Sequence, residues 1–180
     1  MIVALAGRRV DAEDAQSLRF SPAPESIALV RDRIHDKLLA LQATALVSSA
    51  ACGADLLALE EAGKLGLRRR IVLPFDPDKF RSTSVADRPG DWGSLYDSVL
   101  RQVQSNNDLI ITPSTSGHAA YLETNHCIVD AALALAGLLQ TTAVAVQVWE
   151  GASRGPTDLT EEFGTFAKSK GLAVSTVLTV

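Results

Sequence analysis

A chain of 180 residues, 47% hydrophobic and 21% charged, has the length and composition of one domain, 1–180, with a full core. Its 17 basic and 21 acidic residues leave a net charge of −4, which argues against affinity drawn mainly from neutralising nucleic-acid phosphates and leaves room for a local arginine cluster meeting one phosphorylated ligand. No stretch reaches the ~18 apolar residues that span a membrane, and Cys52 and Cys127, without CxxC spacing, fit a reduced, cytoplasmic chain.

The start, Met1 to Ala6, is followed by Gly7-Arg8-Arg9. A signal peptide would carry its positive charge ahead of the apolar run, so Ile2 to Ala6 reads as a first strand. Arg8 to Phe20 is polar and aperiodic, hence a loop. Ser21-Pro22-Ala23-Pro24-Glu25 signals a helix start, with Ser21 as the candidate cap. Ile27, Val30, Ile34, Leu38 and Leu41 follow at three- and four-residue spacing and predict an amphipathic helix. Ala43 to Ser48 is the second strand and Gly53 to Lys64 the second helix. Between them, Ser48 to Asp55 is a turn of small residues at a helix start, where backbone amides lack internal partners and can meet an anion.

Arg68-Arg69-Arg70 leads into a third strand, Ile71 to Leu73, and reads as solvated charge at a helix–strand junction. Phe75 to Asp91 is loop or short helix. Asp91 caps a stripe of Trp92, Leu95, Tyr96, Val99 and Val103. Asp108 to Thr112 is the fourth strand, and Pro113 to Gly117 is turn chemistry. The helix from Tyr121 to Leu139 is apolar all round in its second half, as suits deep burial or a subunit contact. Ala143 to Trp149 is the fifth strand, Thr157 to Lys170 a helix and Leu172 to Val180 the last strand. Strands alternating with helices, and strands apolar throughout, predict an α/β Rossmann-like doubly wound, mainly parallel sheet with helices on both faces. The strand ends then share one rim, where ligands bind.

Three turns on that rim carry unusual residues: Gly7-Arg8-Arg9, Ser48 to Asp55, and Trp149-Glu150-Gly151 running to Gly155-Pro156-Thr157. Together they predict a pocket for a phosphate-bearing ligand. In it Gly7 adopts a backbone conformation closed to other residues, Arg8 or Arg9 forks onto a phosphate, Gly53 and Ala54 offer amides, Asp55 or Glu60 accepts from a ribose hydroxyl, and Thr157 with neighbouring amides binds phosphate at a helix start. Phe75, Trp92, Tyr121 and Trp149 are the aromatics that could stack on a base, Trp92 and Tyr121 fitting core stripes as well. The G-x-G-x-x-G fingerprint is absent, the histidines His35, His118 and His126 have no metal-ligand spacing, and neither a cofactor nor a metal is expected.

These pieces, with Arg19-Phe20-Ser21-Pro22, Val72-Leu73-Pro74-Phe75, Phe80 with Ser84-Val85, Asp91-Trp92 and Tyr121, run nearly the length of the chain. In that order they resemble the SLOG superfamily, the Rossmann-like fold shared by DNA-processing protein A and the LOG-type nucleoside-monophosphate hydrolases, in its predicted nucleotide-sensing branch. The resemblance implies a sensor for a nucleotide or nucleotide-derived signal, for example of ADP-ribose type, in bacterial defence or signalling. Its pocket would be lined by Gly7, Arg8, Arg9, Ser48, Ser49, Gly53, Ala54, Asp55, Trp149, Glu150, Gly151, Gly155 and Thr157. It also implies a homo-oligomer, with a separate effector protein as a further partner. The hydrolase alternative would cleave an N-glycosidic bond with Glu161 or Glu162, but Pro156 stands where that family has glycine. In addition, no arginine occurs between Arg101 and Arg154, where the family's catalytic arginine would lie.

Overall fold

The computed structural model describes residues 1–113 and 117–180; the central part of the turn expected at Pro113 to Gly117 lies outside them. Six strands form one all-parallel sheet in the order β4-β3-β2-β1-β5-β6. They are β1 (Ile2–Gly7), β2 (Ala45–Ser48), β3 (Arg68–Leu73), β4 (Leu109–Ile111), β5 (Ala143–Trp149) and β6 (Ala173–Leu178). The helices α1 (Pro24–Ala40), α2 (Ala54–Lys64), α3 (Pro77–Phe80), α4 (Trp92–Ser105), α5 (Gly117–Leu138) and α6 (Leu159–Ser169) connect them. This is the Rossmann-like, doubly wound architecture that the alternation predicts.

Side-chain alternation along the strands builds two cores. Val3, Leu5, Leu46, Ile71, Leu73, Val144 and Val146 face a layer containing Val30, Ile34 and Leu38 of α1, Leu56 and Leu59 of α2, and Tyr96 and Val99 of α4. On the opposite face Ala4, Ala6, Ala45 and Ala145 are small, and they pack with Ile128, Val129, Ala132 and Leu135 of α5 and Phe163 and Ala167 of α6. The second half of α5 is therefore one-sided: Ala132, Leu135 and Ala136 are buried, whereas Leu138 is 75% exposed.

Boundaries differ where a local group overrides pattern. Ser21 does not cap α1; its Oγ accepts from the Ala23 amide at 3.2 Å, and Ala23 is the N-cap with no side-chain bond. Asp91 caps α4 as its position indicates, accepting from the Ser94 amide at 3.4 Å. β3 begins at Arg68, three residues earlier than the apolar run, because Arg68 and Arg70 both fork onto buried Asp108 at 2.8–3.0 Å. Within Phe75 to Asp91 the chain forms α3 and a π-helical turn, Arg81–Val85, which buries Phe80, Ser84 and Val85.

The sheet order reverses between β1 and β5, with α5 and α6 on one face and α1, α2 and α4 on the other. In open α/β sheets the crevice outside the strand C-termini at such a reversal is where ligands bind.

Candidate functional site

A cavity of about 560 Å³ opens at that reversal. Its floor is Gly7 at the end of β1 with Ser49, Ala51 and Asp55 from the β2–α2 turn. One wall is the segment after β1, including Arg8, Arg9, Val10, Asp11, Gln16 and Arg19; another is Phe80, Ser84 and Arg88. Tyr121, Thr124 and Asn125 of α5 face Arg154, Leu159 and Thr160 across the remaining side.

The segment from Arg8 to Phe20 is not a free loop. The Asp11 carboxylate accepts the amides of Arg19 and Phe20 at 2.7 and 2.9 Å, and the Asp11 amide donates to the Phe20 carbonyl at 2.9 Å. Val10 and Phe20 are buried at its two ends, so the tip stands over the cavity on a fixed neck. The Thr179 hydroxyl donates to the Arg19 carbonyl, which ties that neck to the residue after β6.

Of the residues singled out in the sequence, Gly7, Arg8, Arg9, Ser49 and Asp55 line the cavity, and several do so in other roles. The backbone of Gly7 has no positive φ. Glycine is required there because a Cβ would lie 2.5 Å from that of Ala54 and 2.7 Å from the Val148 carbonyl. Arg8 is not a free fork. Its side chain is 3% exposed; Nε and Nη2 donate to Glu150 at 2.6 and 3.0 Å, and Nη1 and Nη2 to Asp158 at 2.7 and 2.8 Å. Burial alone would lower its pKa, and the two carboxylates reverse this and hold it above the ordinary value. The same pairing holds the Asp158 and Glu150 carboxyls below theirs, against the burial that would raise them.

Three amides of the Ser48–Asp55 turn are kept for the protein. Ala54 donates to the Arg8 carbonyl at 3.0 Å, Cys52 to the Ser84 carbonyl at 3.0 Å and Ala51 to Asp55 at 3.3 Å. Gly53 has φ +96°, and a Cβ on it would meet the Arg8 carbonyl and Val10 nitrogen at 2.8 Å, so it admits the chain's own backbone rather than a ligand. Ser48 is buried, its hydroxyl on the Leu5 carbonyl at 3.0 Å.

On the β5 side, Trp149, Glu150, Gly151, Gly155 and Thr157 stand behind or outside the lining. Trp149 packs on the Arg8 guanidinium at 5.6 Å, Glu150 also accepts from Arg19 at 2.9 Å, and Gly151 faces Leu178. Gly155, with φ +101°, turns the chain so that its carbonyl accepts from the Asp158 amide. Thr157 is exposed and does not cap α6. Asp158 does, accepting from Thr160 and Glu161 at 2.9 and 3.3 Å, so a protein carboxylate already occupies the helix start expected to hold phosphate. Glu161 bonds the Ser153 hydroxyl and Glu162 bonds His126 at 2.7 Å; neither lines the cavity.

Two features of the cavity are not resolved by internal pairing. Five arginines line it (Arg8, Arg9, Arg19, Arg88, Arg154) against two carboxylates, Asp11 and Asp55. Arg8 is consumed as above, Arg9 pairs with Asp87, and Arg19 with Glu150. Arg88 has no carboxylate partner among the described residues, and its Nε is buried without a hydrogen bond. The Arg154 amide donates to Asp158 at 2.8 Å, but its guanidinium stays 3.7 Å from that carboxylate, which Arg8 already holds, and its pKa is lowered by burial and by the charges of Arg8 and Arg19. The second feature is Asp55, 6% exposed, whose Oδ1 is buried with no partner. Burial pushes its pKa up to about 7, against the opposing pull of the Ala51 and Gly7 amides and of Arg9.

Sequence reasoning did not single out Arg88 or Arg154 for the site, nor the pairing role of Asp158. A capping signal was present for the last: Asp158 precedes Glu161 by three residues at the head of an apolar stripe. Among the aromatics, Tyr121 lines the cavity, with its hydroxyl 3.0 Å from Ser84, while Trp92 is buried and donates to the Pro89 carbonyl. Phe75 packs edge-on against Tyr121. Among the described residues no group of histidine, cysteine and carboxylate side chains could hold a metal, and no helix is long and apolar enough to cross a membrane. No protein-family model and no curated protein matches the chain. Among solved structures it is similar to DNA processing protein A from Streptococcus pneumoniae, at a TM-score of 0.42 and 14% identity, over 96% of this chain and 57% of that one.

Proposed function

We propose that the chain binds a nucleotide or nucleotide-derived phosphate ligand in this cavity and acts as a sensor rather than as an enzyme, as the SLOG-like motifs imply. The observation that carries the reading is the unneutralised positive charge at the cavity, centred on Arg88 and Arg154 in a protein of net charge −4. Guanidinium groups that line one cavity in excess of its carboxylates are relieved by an anion, and the planar fork suits phosphate. A volume of about 560 Å³ is that of a small-molecule site. In this reading the phosphate contact falls not to Arg8, which the sequence offered together with Arg9, but to the cations around it. Against the hydrolase alternative, Glu161 bonds Ser153 and Glu162 bonds His126 of α5, and neither lines the cavity.

Thermal shift tests the reading, with AMP, GMP, ADP-ribose and the corresponding nucleosides. The nucleotides raise Tm in a manner that weakens with salt, and the nucleosides do not. Equal shifts from nucleosides and nucleotides, or none from any of them, would overturn it.

A further inference from the structure

Resting on that reading, we infer that Asp55 is the residue that selects the ligand: an ionised carboxylate that accepts a hydrogen bond from a donor group of the bound nucleotide, with release of a proton on binding. A carboxyl group 94% buried in a fold this well paired has few reasons to leave an oxygen unsatisfied; an unmade hydrogen bond at a buried charged group is costly. Every other carboxylate around the cavity has its partners. Asp11 holds two amides, Asp87 holds Arg9, and Glu150 and Asp158 hold Arg8. Asp55 has only backbone amides beside it, Ala51 at 3.3 Å and that of Gly7; its Oδ1 is left without a partner, and it belongs to the cavity lining.

The surroundings say what it would accept from. Gly7, Ser49 and Ala51 beside it are small, so a ring or sugar edge can reach the carboxyl without displacing a side chain. The charges that face it are cationic: Arg9, whose field favours the ionised form, with Arg88 on the neighbouring wall. The other cations, Arg19 and Arg154, gather on the β5 side, beyond β1. β2 and β5 flank β1 in the sheet, two spacings of ~4.8 Å from one another, so Asp55, which follows β2, and that second group, beside β5, stand on opposite sides of β1. A molecule with a phosphate at one end and hydroxyl or amino donors a few bonds away can meet both. Sugar hydroxyls and a base amine supply the same donor chemistry.

Isothermal titration with AMP, in two buffers of different ionisation enthalpy, reads the affinity and the proton release together. The ligand's own phosphate also releases protons, so the quantity of interest is the part of the release that Asp55→Asn removes. The expected result is proton release in the wild type at pH 7 that falls in Asp55→Asn. At pH 8 the variant should bind roughly 10- to 100-fold more weakly, the scale of a hydrogen bond to a charged group. The arms with 2′,3′-dideoxy-AMP and with inosine monophosphate locate the donor: whichever analogue loses affinity for the wild type, and no further affinity for the variant, lacks the group that Asp55 reads. Equal binding and equal release in wild type and variant would overturn the assignment while leaving nucleotide binding intact. Proton uptake would overturn it too, since a neutral Asp55 would then be the donor. Absence of any heat with AMP and with ADP-ribose would remove both this inference and the reading on which it rests.

Discussion

Replacing Asp55 by asparagine should stabilise the fold at alkaline pH and do so less at acid pH. The carboxyl titrates near the usual aspartate value of about 3.9 when unfolded and at about 7 when folded. Between those values the folded state holds a proton that the unfolded state has lost. Stability therefore falls as pH rises through that interval and levels off above it. Some three units at 1.36 kcal/mol each put the full penalty near 4 kcal/mol, of which roughly a third is already present at pH 5. Asparagine never ionises, so the difference between variant and wild type should move in favour of the variant by about 2–3 kcal/mol from pH 5 to pH 8. Urea unfolding followed by far-ultraviolet circular dichroism measures it. Asp158, Glu150 and Asp108, whose carboxyls are all held low by arginines, titrate below this window and are common to both proteins. A difference that stays constant within about 0.5 kcal/mol over the window would refute both the burial argument and the view of Asp55 as a strained, ligand-awaiting group.

Arg8→Met leaves Glu150 and Asp158 buried without their cation, a loss of about 3–5 kcal/mol that calorimetry should read as a Tm lower by roughly 6–20 °C. Gly53→Ala forces a Cβ onto the Arg8 carbonyl at positive φ, and urea denaturation should show a loss of at least ~2 kcal/mol. Arg154→Ala, by contrast, removes a side chain that is 48% exposed, and its unfolding free energy should stay within ~0.5 kcal/mol of wild type. If nucleotides bind as proposed, their thermal shift should shrink in the same variant.

Most of the sheet was legible because a parallel strand covered on both faces is a continuous apolar run, as in Ala45-Leu46-Val47 and Ala143 to Val146. Helix stripes such as Val30, Ile34 and Leu38 gave α1 its face for the same reason of period. The boundary of β3 was not legible, because what extends it is a long-range pairing of Arg68 and Arg70 with Asp108 rather than hydrophobicity. A cavity on the strand-end rim was legible, and the pairing of the residues around it was not. A Gly-Arg-Arg turn after a first strand looks the same whether its arginine meets phosphate or carboxylate. The deciding partners, Glu150 and Asp158, lie 142 and 150 residues further along the chain.

That pairing bears on how such a site can select its ligand. Arg8 joins the end of β1 to the β5–α6 connection across the reversal in the sheet, and it does so before any ligand arrives. A cation spent in this way cannot respond to occupancy, but it fixes the floor on which Gly7 and Asp55 stand. The cations left in surplus are on connecting segments: Arg88 follows the π-helical turn and Arg154 precedes α6. Arg19 sits between the two groups, its side chain on Glu150 and its carbonyl held by Thr179. An anion that draws Arg19 away from Glu150 would leave that carboxylate to Arg8 alone. The neck of the 8–20 segment is held through Arg19's backbone, so the C-terminal strand would remain attached while the side chain moves. If the cavity takes a nucleotide as proposed, the ligand's charge would be read by loop residues against a rigid base, and the unsatisfied carboxyl of Asp55 would be the part of that base left for the ligand to complete.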